Sequence, residues 1–341
     1  MTTKAKKMTF QQTIEKMKAD PDFRQIKLKV WAGKAINIFW VLLRTFVLIG
    51  LAFILVYPLL YMISMSFRDV IDLYDPSVVW IPRNYSLQAI KGALVAMNYW
   101  EALYNTITID VVSSLIQVAI CAIVGYGFAR FKFKGRGLAF AAVIMTIIVP
   151  IQTILIPLYI NYRFFSVFGI LDVYNLIAGT NVSVNLLNQP MVFYLPSIFG
   201  MGIRSGFYIF MYRQFFRGLP KELEEAAWID GCGKFKTFYK VMLPNAKSII
   251  ITIFLFSLVW YWNDYFNTSM FLSKVPTIST QLSLIRSDGM ANLGINSRGD
   301  ELAMTTYVQA GCLISIIPML ILYMFTQRQF TESIERAGIV G

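Results

Sequence analysis

The sequence predicts an all-α polytopic membrane protein with six transmembrane helices and both termini in the cytoplasm. Three observations predict it. Of 341 residues, 57% are hydrophobic and only 15% charged, whereas a soluble domain carries about a quarter charged residues. Apolar runs long enough to cross a bilayer, about 20 residues each, recur six times along the chain. With both termini placed inside, the inner segments hold 23 of the 31 Lys and Arg, the outer loops hold 7, and Arg204 falls within a span. Basic residues collect on the cytoplasmic side of membrane proteins, so topology accounts for the net charge of +12 and nucleic acid need not be invoked.

Residues 1–44 form a basic N-terminal segment carrying Lys4, Lys6, Lys7, Lys16, Lys18, Arg24, Lys27, Lys29 and Lys34. It reads as a cytoplasmic tail, either an amphipathic helix on anionic lipid or a plain solvated segment. The first span is 45–67, with a kink expected at Pro58. Residues 68–105 form an extracytoplasmic loop rich in Trp, Tyr, Pro and Asp, with an interfacial helix expected over 86–99. The second span is 106–128, followed by a basic turn of Arg130, Lys132, Lys134 and Arg136. The third span, 138–160, contains Pro150 and Pro157. Gln152 lies between them, and a polar group at that depth is expected to face the bundle interior. The fourth span, 191–212, is interrupted by Pro196, Gly200, Gly202 and Gly206. A polar loop covers 213–247. The fifth span, 248–272, holds Trp260, Trp262, Asn263 and Asp264. The sixth is 303–325, with Pro318, and residues 327–341 form a cytoplasmic C-terminal tail.

Within the loop, Leu219–Pro244 is the longest polar interval in the second half of the chain, and it is patterned as two short helices. Pro220 suits a first helical position. Glu222, Glu224 and Glu225 complement the positive end of the helix dipole. Gly231 and Gly233 read as the stop. Ala226 and Ala227 leave a flat, small-residue face, which suits either a groove on another protein or a solvated linker.

Glu225-Ala226-Ala227, three residues, Gly231, nine residues and then Val241-Met242-Leu243-Pro244, with Asp230 before the glycine, resembles the EAA loop of bacterial ABC importer permeases. Trp228 and Cys232 replace smaller or more polar residues often seen there. Tyr126-Gly127-Phe128-Ala129-Arg130-Phe131, with Pro150 and Pro157-Leu158-Tyr159, is similar to the carbohydrate branch, the maltose-type inner permease subunits, and so is a tail of the type Gln327-Arg328-Gln329-Phe330. The resemblance is specific over about 100–341 and lies only in layout before that. It implies a type-1 ABC importer transmembrane domain over 101–326 in the bacterial cytoplasmic membrane. Its partners would be a second homologous permease chain, two ATPase subunits and an extracytoplasmic solute-binding protein. It also implies that Glu224, Glu225, Ala226, Ala227, Asp230, Gly231, Leu243 and Pro244 form an ATPase-coupling loop.

Several classes are excluded or unsupported. The chain has no histidine, which removes histidine-based catalysis and histidine metal sites. Cys121, Cys232 and Cys312 show neither zinc spacing nor a disulfide framework. Gly231-Cys232-Gly233-Lys234 lacks the spacing and the hydroxyl of a phosphate loop. No cofactor is therefore expected in this chain; ATP and Mg would be bound by the partner ATPase. No catalytic set emerges, because an intramembrane aspartyl enzyme would rest on Asp110 and Asp264 alone. The function expected is a permease subunit supplying half of the path for a carbohydrate, an oligosaccharide first. A polyamine, peptide or amino-acid permease and a secondary transporter are the alternatives.

Polar groups inside apolar spans are the first candidates for the solute path. These are Gln152, Arg204, Trp262, Asn263 and Asp264. An aromatic face beside amides and carboxylates suits a sugar ring; the same residues equally suit capping of a helix end within an interfacial aromatic belt. Arg204 either faces the path, where it could pair with Asp264, or reaches to headgroups.

Overall fold

A computed structural model describes residues 19–289 and 301–338. Compact packing divides the chain into residues 1–62 and 63–341. In the first unit, the described residues belong to helix α1 (Pro21–Ser66), exposed at nearly every position up to its boundary. The helix has 46 residues, about 69 Å at about 1.5 Å per residue, far more than a hydrocarbon core of about 30 Å requires. The expected division between a tail to residue 44 and a span from 45 is therefore absent as a structural break. Residues 21–44 contain good helix formers and, after Pro21, no proline, so their charge does not stop the helix. Helix α1 also runs uninterrupted through Pro58. Residues 1–18 of the expected tail lie outside the described residues.

The second unit is helical. After a short turn at Val70–Leu73 come α2 (Gln88–Ala96) and α3 (Tyr99–Arg130). Then follow α4 (Arg136–Ile148), α5 (Leu155–Arg163), α6 (Ile170–Ala178), α7 (Met191–Ile198) and α8 (Ser205–Gly218). The last group is α9 (Glu222–Ile229), α10 (Lys247–Trp262), α11 (Phe266–Phe271), α12 (Ile278–Leu284) and α13 (Glu301–Gly338).

Among the described residues, three helices are long and apolar enough to cross a membrane: α1, α3 and residues 302–327 of α13. The other expected spans are broken, each for a visible reason. Segment 138–160 becomes α4, a 3₁₀ turn at Ile151–Thr153 and α5, because Pro150 has no N–H to continue the ladder. Segment 191–212 becomes α7 and α8. Gly200 and Arg204 between them both take left-handed backbone (φ +69° and +61°). Segment 248–272 becomes α10 and α11, separated at Asn263–Asp264. A further bend of 78° at Ala246 separates α10 from the irregular helical stretch Lys234–Asn245.

Helix α3 is central to the packing. Gly125 on α3 faces α8 so closely that a Cβ there would lie 2.5 Å from Tyr212 Cβ and 3.1 Å from the Arg213 N and Ile209 O. Around that approach, Cys121, Tyr126, Tyr208, Tyr212, Phe216, Phe238 and Met242 form one core. A second core joins α2 and the start of α3 to α12 and α13, around Met97, Ile278, Ile285 and Tyr307. A third joins Ile109 to Leu155, Phe193, Tyr261 and Phe271. The connection from α1 to α2 is fixed by Asp72, whose carboxylate accepts from the Arg83 and Asn84 N–H groups (2.7 and 2.9 Å) and from the Asn84 side-chain amide (2.7 Å).

Candidate functional site

A buried carboxylate ties helix α9 to the end of α3, beside the packing of Leu223 and Ala227. Glu224 is buried (5% exposed). Its Oε1 accepts from the Tyr126 hydroxyl at 2.6 Å. Its Oε2 lies 3.3 Å from Arg130 Nε, an ion pair in which both side chains are under a tenth exposed. Arg130 also donates from Nη2 to the Leu219 carbonyl at 2.7 Å. Tyr126 in turn packs against Phe131, Phe216 and Phe238. The end of α3, the loop before α9 and α9 itself are thereby clamped at one point.

The helix stops as its sequence predicts, with one correction. Gly231 has φ +75°; the Cys232 N–H bonds the Ala227 carbonyl (2.8 Å) and the Gly231 N–H bonds the Trp228 carbonyl (3.0 Å), a Schellman ending. Gly233 does not stop α9. It has ordinary extended backbone and caps the turn Lys234–Thr237. Pro220 likewise stands outside the helix, whose N-cap is Lys221.

The two alanines do not share a face. Ala227 is buried (5% exposed) and Ala226 exposed. Glu224 also points inward, so the coupling-loop residues divide into two groups. Glu224 and Ala227 attach the helix to its own chain, whereas Glu225, Ala226, Asp230, Gly231 and Pro244 face outward and Leu243 is half-buried. Large apolar side chains accompany the outward group: Trp228, Ile229, Phe235 and Tyr239 are 49%, 86%, 76% and 64% exposed. The surface is apolar with a carboxylate at one end, more adhesive than the small-residue face the alanines suggest.

The candidate path residues do not come together. Arg204 is exposed, and its guanidinium stacks over the Trp260 ring at 4.2 Å from the centroid. Asp264 is bonded elsewhere, to Asn267 Nδ2 (3.0 Å) and the Thr268 hydroxyl (3.2 Å), so the expected Arg204–Asp264 pair is replaced by an arginine–tryptophan stack. The carboxylate is taken because it faces the first turn of α11. Asn263 donates to the Val259 carbonyl at 2.8 Å, closing the end of α10 as a cap. Trp262 is half-buried against the core of α2, α12 and α13. Gln152 is exposed on this chain; the 3₁₀ turn after Pro150 carries it away from the interior.

A buried polar junction was not singled out from the sequence. Gln117 on α3 is fully buried. Its Nε2 donates to the Ile203 carbonyl (2.6 Å) and the Ser205 hydroxyl (2.7 Å), and its Oε1 accepts from Ser257 (2.9 Å). Ser197 and Tyr261 share a hydrogen bond of 3.0 Å beside it. One amide thus ties α3 to the break before α8 and to α10. Its signal was available: Gln117 is a lone amide inside the apolar run Leu115–Ile120.

This architecture has known relatives. Residues 118–335 match the family described as binding-protein-dependent transport system inner membrane component. The chain belongs to that family. The protein is thus an inner-membrane component of a transport system, and its relatives are transport permeases. Among similar permeases is the osmoprotective compounds uptake permease protein GgtD of Synechocystis, 30% identical over 296 residues, 84% of this chain and 88% of that one. The arabinooligosaccharides transport system permease protein AraQ of Halalkalibacterium halodurans is 28% identical over 316 residues, covering 89% and 96%. The probable starch degradation products transport system permease protein AmyC of Thermoanaerobacterium thermosulfurigenes is 26% identical over 296 residues, covering 86% and 94%. The permease fold is also that of a solved bacterial ABC transporter involved in the import of the acidic polysaccharide alginate. That likeness has a TM-score of 0.66 at 24% identity and covers 86% of this chain and 96% of the other.

Proposed function

We propose that this chain is a permease subunit of an ATP-driven importer and lines half of the path for an oligosaccharide. The observation that carries the reading is the clamped helix α9. A buried ion pair and hydrogen bond fix it to α3 while Trp228, Ile229 and Phe235 stand exposed, as a rigid lever for a separate protein requires. The relatives named for arabinooligosaccharides and starch degradation products support the solute class. In this reading the ATP and Mg2+ belong to two ATPase subunits. A second permease chain completes the path, and an extracytoplasmic binding protein delivers solute. The chain crosses the bacterial cytoplasmic membrane six times, with the broken pairs α4–α5, α7–α8 and α10–α11 each making one crossing, and both termini lie in the cytoplasm. The basic-residue distribution supports that orientation. Glu225, Ala226, Asp230, Gly231, Leu243 and Pro244 meet the ATPase. Arg204 on its Trp260 platform faces the path, since an arginine facing acyl chains would cost about 2.5–3.5 kcal/mol.

The relative named for osmoprotective compounds, at 30% identity, supports a second reading, a compact osmolyte as cargo. The test is uptake by cells with and without this chain, using labelled arabino- and maltooligosaccharides, osmoprotective solutes, polyamines and peptides. Loss of oligosaccharide uptake alone is expected. Loss confined to polyamines or peptides, or uptake that persists when ATP is depleted, would overturn the reading.

A further inference from the structure

We propose that Asp110 and the hydroxyls around it form a binding site for a single monovalent cation of sodium size, which ties α3 to the α10–α11 break and to the start of α12. Asp110 lies in α3, 4% exposed, and its Oδ2 accepts no hydrogen bond. It borders a cavity of about 10 Å³ lined also by Thr106, Tyr261, Thr268, Thr277 and Ser279, room for one water-sized particle. Among the described residues no lysine or arginine is paired with Asp110. A buried carboxylate with neither cation nor donor is the arrangement that folded proteins avoid.

The hydroxyls decide which occupant fits. Thr268 Oγ1 donates to the Asp264 carbonyl at 2.6 Å, and Ser279 Oγ donates to the same carbonyl at 3.0 Å. Those bonds take up both protons, so lone pairs remain on the two oxygens. Thr106 Oγ1 is itself an acceptor, for the Ile278 N–H at 2.9 Å. Beside the apolar Ile109, Phe193 and Leu272, the cavity thus presents hydroxyl oxygens around one carboxylate. A water molecule would leave the carboxylate charge unbalanced, whereas a small cation takes hydroxyl lone pairs and neutralises it. One carboxylate balances one positive charge. A divalent ion takes more charge or more carboxylate oxygens than this cavity presents, and among the described residues no cluster of three or more acidic or thiol groups exists.

The experiment uses the permease purified with its partner subunits, in chloride salts of lithium, sodium, potassium and N-methyl-D-glucamine at equal ionic strength. Thermal unfolding and equilibrium binding of radioactive sodium are both measured, and neither readout depends on the transported solute. The wild type is expected to show a saturable, cation-specific rise in melting temperature and one bound ion per chain. Asp110→Asn is expected to weaken the midpoint by at least the ~10–100-fold that supporting contacts of metal sites contribute. If Asp110→Asn fails to assemble, Thr268→Val carries the test, because it removes a ligand and leaves the carboxylate; weaker sodium binding is expected. No difference between the small cations and N-methyl-D-glucamine in the wild type would overturn the proposal. So would undiminished sodium binding in either variant.

Discussion

Replacing Glu224 with alanine should detach α9 from α3 without unfolding the membrane core. The wild-type carboxylate makes a hydrogen bond of 2.6 Å to Tyr126 and an ion pair of 3.3 Å to Arg130. A hydrogen bond to a charged partner contributes about 1.5–3 kcal/mol. Removing one partner of a buried pair costs about 3–5 kcal/mol, because the other charge stays buried. The two figures overlap rather than add, since Arg130 keeps the Leu219 carbonyl and its Nε–H is not aligned for a hydrogen bond to Glu224. A local loss of about 3 kcal/mol follows, or about a hundredfold in the fraction of α9 undocked at about 1.4 kcal/mol per decade. Cys232 reports it, being half-buried at the end of α9 with its N–H closing the Schellman turn. On a background without Cys121 and Cys312, thiol labelling of Cys232 should accelerate in Glu224→Ala and by less in Glu224→Gln, which keeps an acceptor for Tyr126. Solute uptake by the assembled transporter should fall in the same order while ATP hydrolysis is lost or uncoupled. Wild-type labelling and uptake in Glu224→Ala would refute the clamp.

Gly231→Asp should reduce uptake at normal expression: open space surrounds its Cβ position, so the defect arises from left-handed backbone at φ +75°, about 1 kcal/mol or more, plus a negative charge at a helix C-terminus; wild-type uptake would dismiss the docking role. Gln117→Leu should destabilise the permease by about 2 kcal/mol, from three interhelical hydrogen bonds at about 0.6 kcal/mol each in membranes and the groups left unpaired; an unchanged melting temperature would show that the junction contributes nothing. Asp72 is held below the ordinary carboxylate value of 3.8, first by the Asn84 N–H and then by the Asn84 amide and the Arg83 N–H, against a desolvation that raises it. A depressed pKa means stability that is present above about pH 4 and lost as pH falls through the folded value, so Asp72→Asn should melt lower than wild type at pH 7 and the gap should narrow as pH falls below about 4; a gap independent of pH would contradict the assignment. Arg204→Leu should assemble normally, since an exposed cation–π stack contributes only about 0.5–1 kcal/mol, but lose uptake; unchanged solute affinity would make the arginine an anchor.

What the sequence made legible was whatever depends on composition and local chain geometry. Apolar excess and the spacing Glu225 to Gly231 to Pro244 read directly, because a Schellman glycine and a membrane-length apolar run are local properties. Hydropathy cannot show where a helix breaks inside an apolar segment, since Pro150, Gly200 and Asn263 interrupt the hydrogen-bond ladder without lowering hydrophobicity enough to end the run. Nor can it show where helix continues through charge, as in residues 21–44 of α1. Facing directions were the least legible. Ala226 and Ala227 are adjacent and chemically identical, yet one step of about 100° around a 3.6-residue turn buries one and exposes the other. Glu224 and Glu225 divide the same way, one into the Arg130 clamp and one outward. A motif read as a single docking surface is thus two surfaces back to back. The inner one exists only because Tyr126 and Arg130, about a hundred residues earlier in the chain, arrive beneath it at the end of α3. In the proposed coupling role that pairing has a mechanical meaning: a push on Trp228 or Ile229 would pass through Glu224 to α3, the helix that carries Gln117 and Asp110.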